Sequence, residues 1–180
     1  MKSILLFTLH LCISLCIVPV YAQDSLISHQ SARVEIGLGS GMVGDGGGLA
    51  GRIAFSYLHS NWGGVVRLSA NDGREGKKSG WFGPPKEKFY DTGLLVSYIP
   101  IQTKYWQVVT SFGVGFLYGE RLTNTETDLE EFDSITGFAW EVGFASAGST
   151  FGWSLSIMGN FNSESNMLAF LLSVTFGYQN

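Results

Sequence analysis

The residues best suited to nucleophilic catalysis are His59 and Ser60, which are adjacent in the run Tyr57-Leu-His-Ser-Asn61. A histidine activates a serine hydroxyl only when both side chains point into the same site. Consecutive side chains of an extended strand point to opposite faces, which would separate this imidazole from the hydroxyl. The only other histidine beyond residue 22 is His29, near the start of the chain. We therefore predict no catalytic residue.

Two further stretches have compositions that are typical of ligand sites. The glycines between residues 37 and 48 suggest a phosphate-binding loop, but the following helix and the Lys-Ser/Thr pair of such a loop are missing. Acidic residues crowd between residues 120 and 135 without the Asp-x-Asp-x-Asp-Gly order of an EF-hand. The cysteines, Cys12 and Cys16, both precede residue 22. The sequence thus predicts no cofactor, no metal site and no disulfide in the mature chain.

The overall composition is apolar for a water-soluble protein. Hydrophobic residues make up 45% of the 180 residues and charged residues only 14%, against a usual charged fraction of ~25%. The aromatic content, also 14%, excludes a disordered chain. A net charge of −4 disfavours nucleic acid as a partner, because phosphate binding needs a basic surface.

The first 22 residues are typical of a secretory signal peptide. Lys2 provides the positive start, residues 4–18 form an apolar run, and a small-residue cleavage site follows at 20–22. An uncleaved helical anchor is the alternative, but the apolar run is short and polar residues interrupt it. We expect export from a bacterial cytoplasm, cleavage, and a single domain over residues 23–180.

Beyond the signal peptide, apolar and small or polar residues alternate, which is typical of β-strands. In the segment 105–119, large apolar residues from Trp106 to Tyr118 share one face, and mostly small residues share the other. Most such segments are near the ~9–11 residues that a tilted strand needs to cross a bilayer. The eight predicted strands span residues 32–39, 48–58, 62–69, 89–98, 105–119, 136–145, 151–161 and 167–178.

The two faces of these strands differ in a way that indicates which one is outside. The large face carries no charged residue, whereas the other combines Gly, Ala and Ser with a few charges. A soluble, lipocalin-like barrel would cover its exterior with many charges, which the small face lacks. A membrane barrel needs an apolar exterior, a narrow polar interior and a closed sheet. We therefore predict an all-β fold, an eight-stranded antiparallel up-and-down transmembrane β-barrel.

Six charged residues on the small face are predicted to form a network inside the barrel. They are three arginines and three carboxylates: Arg33, Arg52, Arg67, Glu35, Asp91 and Glu141. The interior of an eight-stranded barrel is only wide enough for side chains, which favours paired ions with a structural role over a gate or a proton path. The pattern thus predicts a plugged lumen.

An exported chain with eight strands places both termini in the periplasm and the longer connections outside the cell. Residues 70–88 carry net +2 from five basic and three acidic residues, and residues 120–135 carry net −5 from six acidic and one basic residue. Loops on a rigid scaffold commonly carry recognition, so these two connections are the predicted contact surface for an unidentified partner. The candidate contact residues are Arg74, Lys77, Lys78, Trp81, Phe82, Glu126, Asp128, Glu130 and Glu131.

The signal peptide, the eight segments and the aromatic-rich final segment, Leu168-Ala-Phe-Leu-Leu-Ser-Val-Thr-Phe-Gly-Tyr178, resemble the small outer-membrane barrels of the OmpA and OmpX kind. This resemblance of pattern covers essentially the whole mature chain. It implies a monomeric barrel that contacts outer-membrane lipid. Members of that class commonly end on an aromatic residue that the insertion machinery reads, whereas this chain ends Tyr178-Gln-Asn180.

These features predict a non-enzymatic envelope protein with a structural or surface-interaction role. A lipid A-modifying barrel enzyme is the first alternative, since one deacylase family uses a His-x-Ser-Asn run. Here the intervening residue is missing, and His59 lies in a predicted periplasmic turn, away from the leaflet that holds lipid A. A secreted, lipocalin-like lipid-binding barrel is the second alternative.

Overall fold

A computed structural model describes residues 30–44, 46–77, 86–124, 127–147 and 150–179 of the chain. The predicted signal peptide and the candidate contact residues Lys78, Trp81, Phe82 and Glu126 lie outside these ranges. Eight strands make up the regular structure of the described ranges. They are β1 Gln30–Val43, β2 Gly46–His59, β3 Trp62–Glu75, β4 Lys86–Gln102, β5 Trp106–Leu122, β6 Leu129–Ser146, β7 Phe151–Phe161 and β8 Met167–Gln179.

The strands form a closed antiparallel barrel, in which each strand pairs with its neighbours in sequence and β1 pairs with β8. We call the end that contains Gln30 and Gln179 the terminal end, and the opposite end the loop end. Closure gives every strand a partner on both sides over the part of the wall that all eight strands share, so the sheet has no free edge there. The predicted fold class is confirmed. No α-helix in the described ranges has the length and apolar character needed to span a bilayer.

The strands continue further at the loop end than the alternation predicts. β3 extends to Glu75, β4 begins at Lys86, and β5 and β6 are paired as far as Leu122 and Leu129. Much of the predicted connections 70–88 and 120–135 is therefore strand. Strand pairing uses backbone groups and does not require alternating polarity. The alternation in the sequence therefore stops where the apolar outer face stops, although the backbone hydrogen bonds between the strands continue.

The large apolar face points outward, and its side chains remain exposed on the barrel wall. We call this surface the apolar belt. Its members include Val34, Ile36, Leu38, Leu49, Ile53, Phe55, Val66, Leu68, Leu94, Val96, Phe112, Val114, Phe138, Val142, Leu155, Ile157, Phe170, Leu172 and Val174. This arrangement is the reverse of a lipocalin-like barrel, which keeps its apolar face inside.

The inward face is divided into two halves of different character. Towards the terminal end the interior holds the charged residues and several serines, together with apolar side chains such as Leu58 and Ala145. We call this part the polar half. Towards the loop end it is filled by a cluster that we call the apolar plug. The plug consists of Val43, Ala50, Phe89, Leu117, Met158, Met167, Ala169 and Leu171. The uniform interior of small residues and ion pairs that the sequence predicts is thus only half of the lumen.

Candidate functional site

Arg52 links two carboxylates that come from different sides of the barrel. Its guanidinium donates to Glu35 on the neighbouring strand β1 and to Glu141 on β6, across the lumen. The side chain of Arg52 is only 1% exposed, whereas Glu35 and Glu141 are 18% and 12% exposed. Ser154 Oγ donates a further hydrogen bond to Glu35 Oε2 at 3.1 Å. The contacts connect β1, β2, β6 and β7 through the interior.

Arg67 forms a second group around Asp91. Arg67 Nη2 and Nε donate to Asp91 Oδ2 at 2.7 and 3.1 Å, and both side chains are fully buried. Asn160 Nδ2 donates to the other oxygen, Asp91 Oδ1, at 2.6 Å, and Ser69 Oγ lies 3.4 Å from Oδ2. Arg67 Nη1 is 3.7 Å from Glu141 Oε2, so Glu141 joins the two groups. This connection makes them one network.

Arg33 completes the set of six predicted lumen residues, all of which face the interior. It lines the same polar cavity as Glu35, Arg52 and Glu141. The cavity has a volume of about 40 Å³, and a single water needs roughly 10–15 Å³ of such space, so only a few waters fit. Gln107 Nε2 and Arg52 Nε are buried without a protein partner among the described residues. These donors suit bound water.

Sequence reasoning missed the apolar plug and the neutral polar partners of the network. Met158, Met167 and Leu171 occupy inward positions of β7 and β8 and are fully buried. The period-two pattern places these residues on the inward face, and this alternation is the signal in the sequence that points to the plug. Asn160 also occupies an inward position of β7, but its bond to Asp91 depends on the stagger between distant strands, which no local pattern contains.

The candidate contact residues lie at or near the rim of the loop end. Arg74 lies near the end of β3, Lys77 follows that strand, and Glu130 and Glu131 lie at the start of β6, preceded by Asp128. The cross-strand partners of Glu130 and Glu131 on β5 are Arg121 and Glu120. The structure therefore brings the acidic stretch against β5 as a paired hairpin instead of a loose loop.

A carboxylate that the sequence analysis did not single out holds the rim together. Glu87 Oε2 accepts the backbone N–H of Arg74 at 2.9 Å, and Glu87 Oε1 accepts that of Leu122 at 3.0 Å. Glu87 on β4 thereby bonds to β3 and to β5. Nearby, Lys86 Nζ donates to Asp72 Oδ2 at 2.8 Å, and this hydrogen bond raises the pKa of Lys86 above its usual value.

The wall is incomplete at the loop end beside β6. Pairing between β6 and β7 begins at Phe138 with Phe161, whereas β6 itself begins at Leu129. The first residues of β6 are paired with β5 on one side, and no strand of the described residues pairs with them on the other side. The β5–β6 hairpin thus projects beyond β7 with one open backbone edge.

The histidine and serine that were considered for catalysis are exposed at the terminal end. His59 is the last residue of β2, and Ser60 lies in the turn to β3 with a positive φ of 55°. Neither side chain lines the polar cavity. Within the described ranges, no three His, Cys, Asp or Glu residues come together as a possible metal site.

No protein-family model and no curated protein matches the chain. Solved structures do match it. Neisserial surface protein A aligns with a TM-score of 0.61 and 10% identity, covering 82% of this chain and 96% of that one. Ail, the attachment invasion locus protein of Yersinia pestis, in complex with a heparin analogue, aligns with a TM-score of 0.58 and 14% identity. This alignment covers 84% of this chain and 100% of that one. The N-terminal β-barrel domain of Pseudomonas aeruginosa OprF aligns with a TM-score of 0.55 and 14% identity, covering 82% of this chain and 97% of that one.

The likeness to these structures establishes the fold. The chain has the small eight-stranded barrel architecture found in outer-membrane proteins, and the predicted resemblance is confirmed at that level.

Proposed function

We propose that this chain is an integral barrel of the bacterial outer membrane with a non-enzymatic, structural or surface-interaction role. The observation that carries the proposal is the apolar belt around a closed barrel. Leu38, Leu49 and Leu172 are 60–74% exposed on the outer wall, an arrangement that water would penalise and lipid hydrocarbon accepts. The signal peptide would deliver the chain across the inner membrane, and the barrel would act as a monomer surrounded by lipid.

Aromatic pairs near both ends of the belt support this location. At the terminal end, the ring centroids of Trp62 and Tyr98 are 4.6 Å apart. Towards the loop end, those of Tyr90 and Tyr118 are 5.5 Å apart. The stretch of β4 from Tyr90 to Tyr98 matches the ~9–11 residues of a tilted membrane strand. Aromatic girdles at the two interfaces are typical of such barrels.

The filled interior argues against a role as an open pore. The polar half has space for only a few waters, and the apolar plug occupies the other half. An ion would have to leave its hydration shell to pass the plug, which costs several kcal/mol or more. Function is therefore assigned to the loop end, where the acidic β5–β6 hairpin projects with an open edge and offers hydrogen-bonding groups and charge to a partner.

Cell fractionation and gel mobility test the location. We expect the protein in the outer-membrane fraction, with a shift in mobility on an SDS gel between unheated and boiled samples. Leu172→Arg places a charge in the belt and should destabilise the folded barrel by about 2–4 kcal/mol. Leu129→Arg, in the projecting hairpin, is the matched control and should have little effect. A soluble, unshifted protein would overturn the proposal.

Planar-bilayer recording and lipid A mass spectrometry test the assigned role. The purified barrel should give no stable conductance, and cells with the wild-type protein or with His59→Ala should have the same lipid A. A steady large conductance would identify a channel. A lipid A change that requires His59 would identify an enzyme.

A further inference from the structure

A second cavity opens at the loop end, above the apolar plug. It has a volume of about 170 Å³. Its lining residues come from the adjoining ends of β1 and β2, from strands β3 to β6 and from the β7–β8 connection. Pockets for drug-sized ligands span ~300–1,000 Å³, so this one suits a single ring or a short chain. We call it the mouth pocket. It is distinct from the polar cavity, with which it shares no lining residue.

The floor of the mouth pocket is apolar. The rings of Phe89 and Phe132 lie with their centroids 5.8 Å apart, and Val43 and Ile135 line the pocket beside them. Phe89 and Val43 belong to the apolar plug, so the floor is backed by packed side chains and not by water. A ligand with an apolar body gains by covering this surface.

The rim is charged and held in place before any ligand arrives. Arg74, Glu87, Arg121 and Glu164 also line the pocket, and we call them its rim. Both oxygens of Glu87 accept backbone N–H groups from β3 and β5, which fixes the spacing of the strands that carry the two arginines. On the opposite side, Gly44 N donates to the carbonyl of Asn166 at 3.1 Å. A preorganised rim lowers the entropy cost of binding.

One ion pair across the mouth is suited to exchange with a ligand. Arg121 Nη1 and Glu164 Oε2 are 3.2 Å apart, and their side chains are 50% and 51% exposed. Exposed pairs of this kind contribute little to stability. The backbone around Glu164 is held independently, because Asn162 Oδ1 accepts the N–H groups of Glu164 and Ser165 at 3.0 and 2.8 Å. The Glu164 side chain is therefore free to leave Arg121 without unfolding its turn.

We propose that the mouth pocket binds a small organic monoanion with one apolar ring or short chain. The apolar body covers Phe89 and Phe132, and the anionic group takes the place of Glu164 on Arg121. With Glu164 displaced, Arg121 Nη1 faces the anionic group of the ligand, while both oxygens of Glu87 stay bound to the backbone of β3 and β5. This binding role is separate from the structural and surface-contact roles proposed above.

Binding of 4-fluorobenzoate to the full mature chain in zwitterionic nanodiscs provides the test. The readouts are the fluorine line width of the probe and the shift of the Ile135 side-chain methyl resonance, assigned with Ile135→Val. The neutral isostere 4-fluorobenzamide serves as the charge control, and empty nanodiscs correct for partition into lipid. We expect saturable binding of the benzoate and a shift at Ile135.

Rim variants separate specific recognition from general adsorption. Arg121→Gln should weaken benzoate binding about tenfold, because a hydrogen bond to a charged partner is lost. Glu164→Gln should strengthen it, because the internal competitor is neutralised. Neither change should alter binding of the benzamide. Phe132→Ala should weaken both probes, and Lys104→Gln at the terminal end should weaken neither.

The proposal fails if the two probes bind with equal affinity, or if Arg121→Gln and Glu164→Gln leave benzoate binding unchanged. Absence of an Ile135 shift up to the solubility limit of the benzoate would also overturn it. Arg121 and Glu164 are exposed, so their variants should retain the heat-dependent gel shift of the folded barrel and give a result even if Phe132→Ala does not fold.

Discussion

The two halves of the barrel interior are filled by different kinds of side chain. Near the terminal end, Arg52 and Arg67 bridge carboxylates on several strands. Near the loop end, Met158, Met167 and Leu171 are buried in the apolar plug. A buried ion pair requires a specific geometry, and removal of one partner leaves a buried charge that destabilises the fold. Apolar side chains can repack when their volume is conserved. The polar half therefore specifies which strands face one another, and the apolar half seals the lumen.

The largest effect should follow loss of the carboxylate that joins the two arginine groups. Glu141→Gln leaves Arg52 and Arg67 short of one negative charge and should lower the free energy of unfolding by about 3–5 kcal/mol. Urea unfolding followed by gel mobility measures this. Glu131→Gln on the exposed hairpin is the control and should change stability by less than ~0.5 kcal/mol. Equal midpoints for both variants would mean that Glu141 is hydrated.

A somewhat smaller effect should follow loss of volume in the apolar plug. Leu171→Ala creates a cavity among packed side chains and should cost about 2–4 kcal/mol in the same unfolding assay. The adjacent Leu172 faces the belt, where lipid fills the space that a shorter side chain leaves. Leu172→Ala should cost under ~1 kcal/mol. Similar losses for the two variants would contradict the assignment of the plug.

Access to water should differ between the halves with little change in stability. Both cysteines of the chain lie within the first 22 residues, so residues 23–180, the proposed mature chain, offer a thiol-free background. The folded variants are treated with Ag⁺, unfolded, and then exposed to an alkylating reagent, which reacts only with thiols that have not bound Ag⁺. Ser56→Cys lies in the polar cavity, so its thiol should bind Ag⁺ and escape alkylation. Ala169→Cys, in the plug, should remain unprotected. Protection of both thiols would show that water reaches the plug, and the contrast between the halves would be lost.

The smallest effect concerns an exposed ion pair, which contrasts with those of the interior. The hydrogen bond from Lys86 to Asp72 raises the pKa of Lys86 in the folded state. A raised pKa stabilises the fold fully below the unfolded pKa of ~10.4, and this contribution disappears as the pH rises through the folded value. Lys86→Met should therefore be slightly less stable than wild type at pH 8, with the difference vanishing at strongly alkaline pH. A pH-independent difference would exclude the ion pair as its cause.

The number of strands and the direction of each face could be predicted from the sequence, because period-two alternation encodes them. The order of the strands follows from closure into an up-and-down barrel. The inward position of Arg52 follows from its neighbours Ile53 and Gly51 on the opposite face. Its partner Glu141 lies 89 positions further along the chain, and that pairing depends on the stagger of the closed barrel. The mouth pocket depends likewise on six elements meeting at one end.

The seam between β1 and β8 has a consequence for how the chain reaches its final shape. It joins the two extremes of the barrel, from Ser31 opposite Gln179 to Val43 opposite Met167. Neighbouring hairpins can zip locally, but this ladder has to wait until every other strand is in place, which makes folding slow and cooperative. A chain truncated before β8 would expose two long unpaired edges at once. We expect such a product to be cleared by proteases, so the gene should tolerate changes at the rim far better than a premature stop.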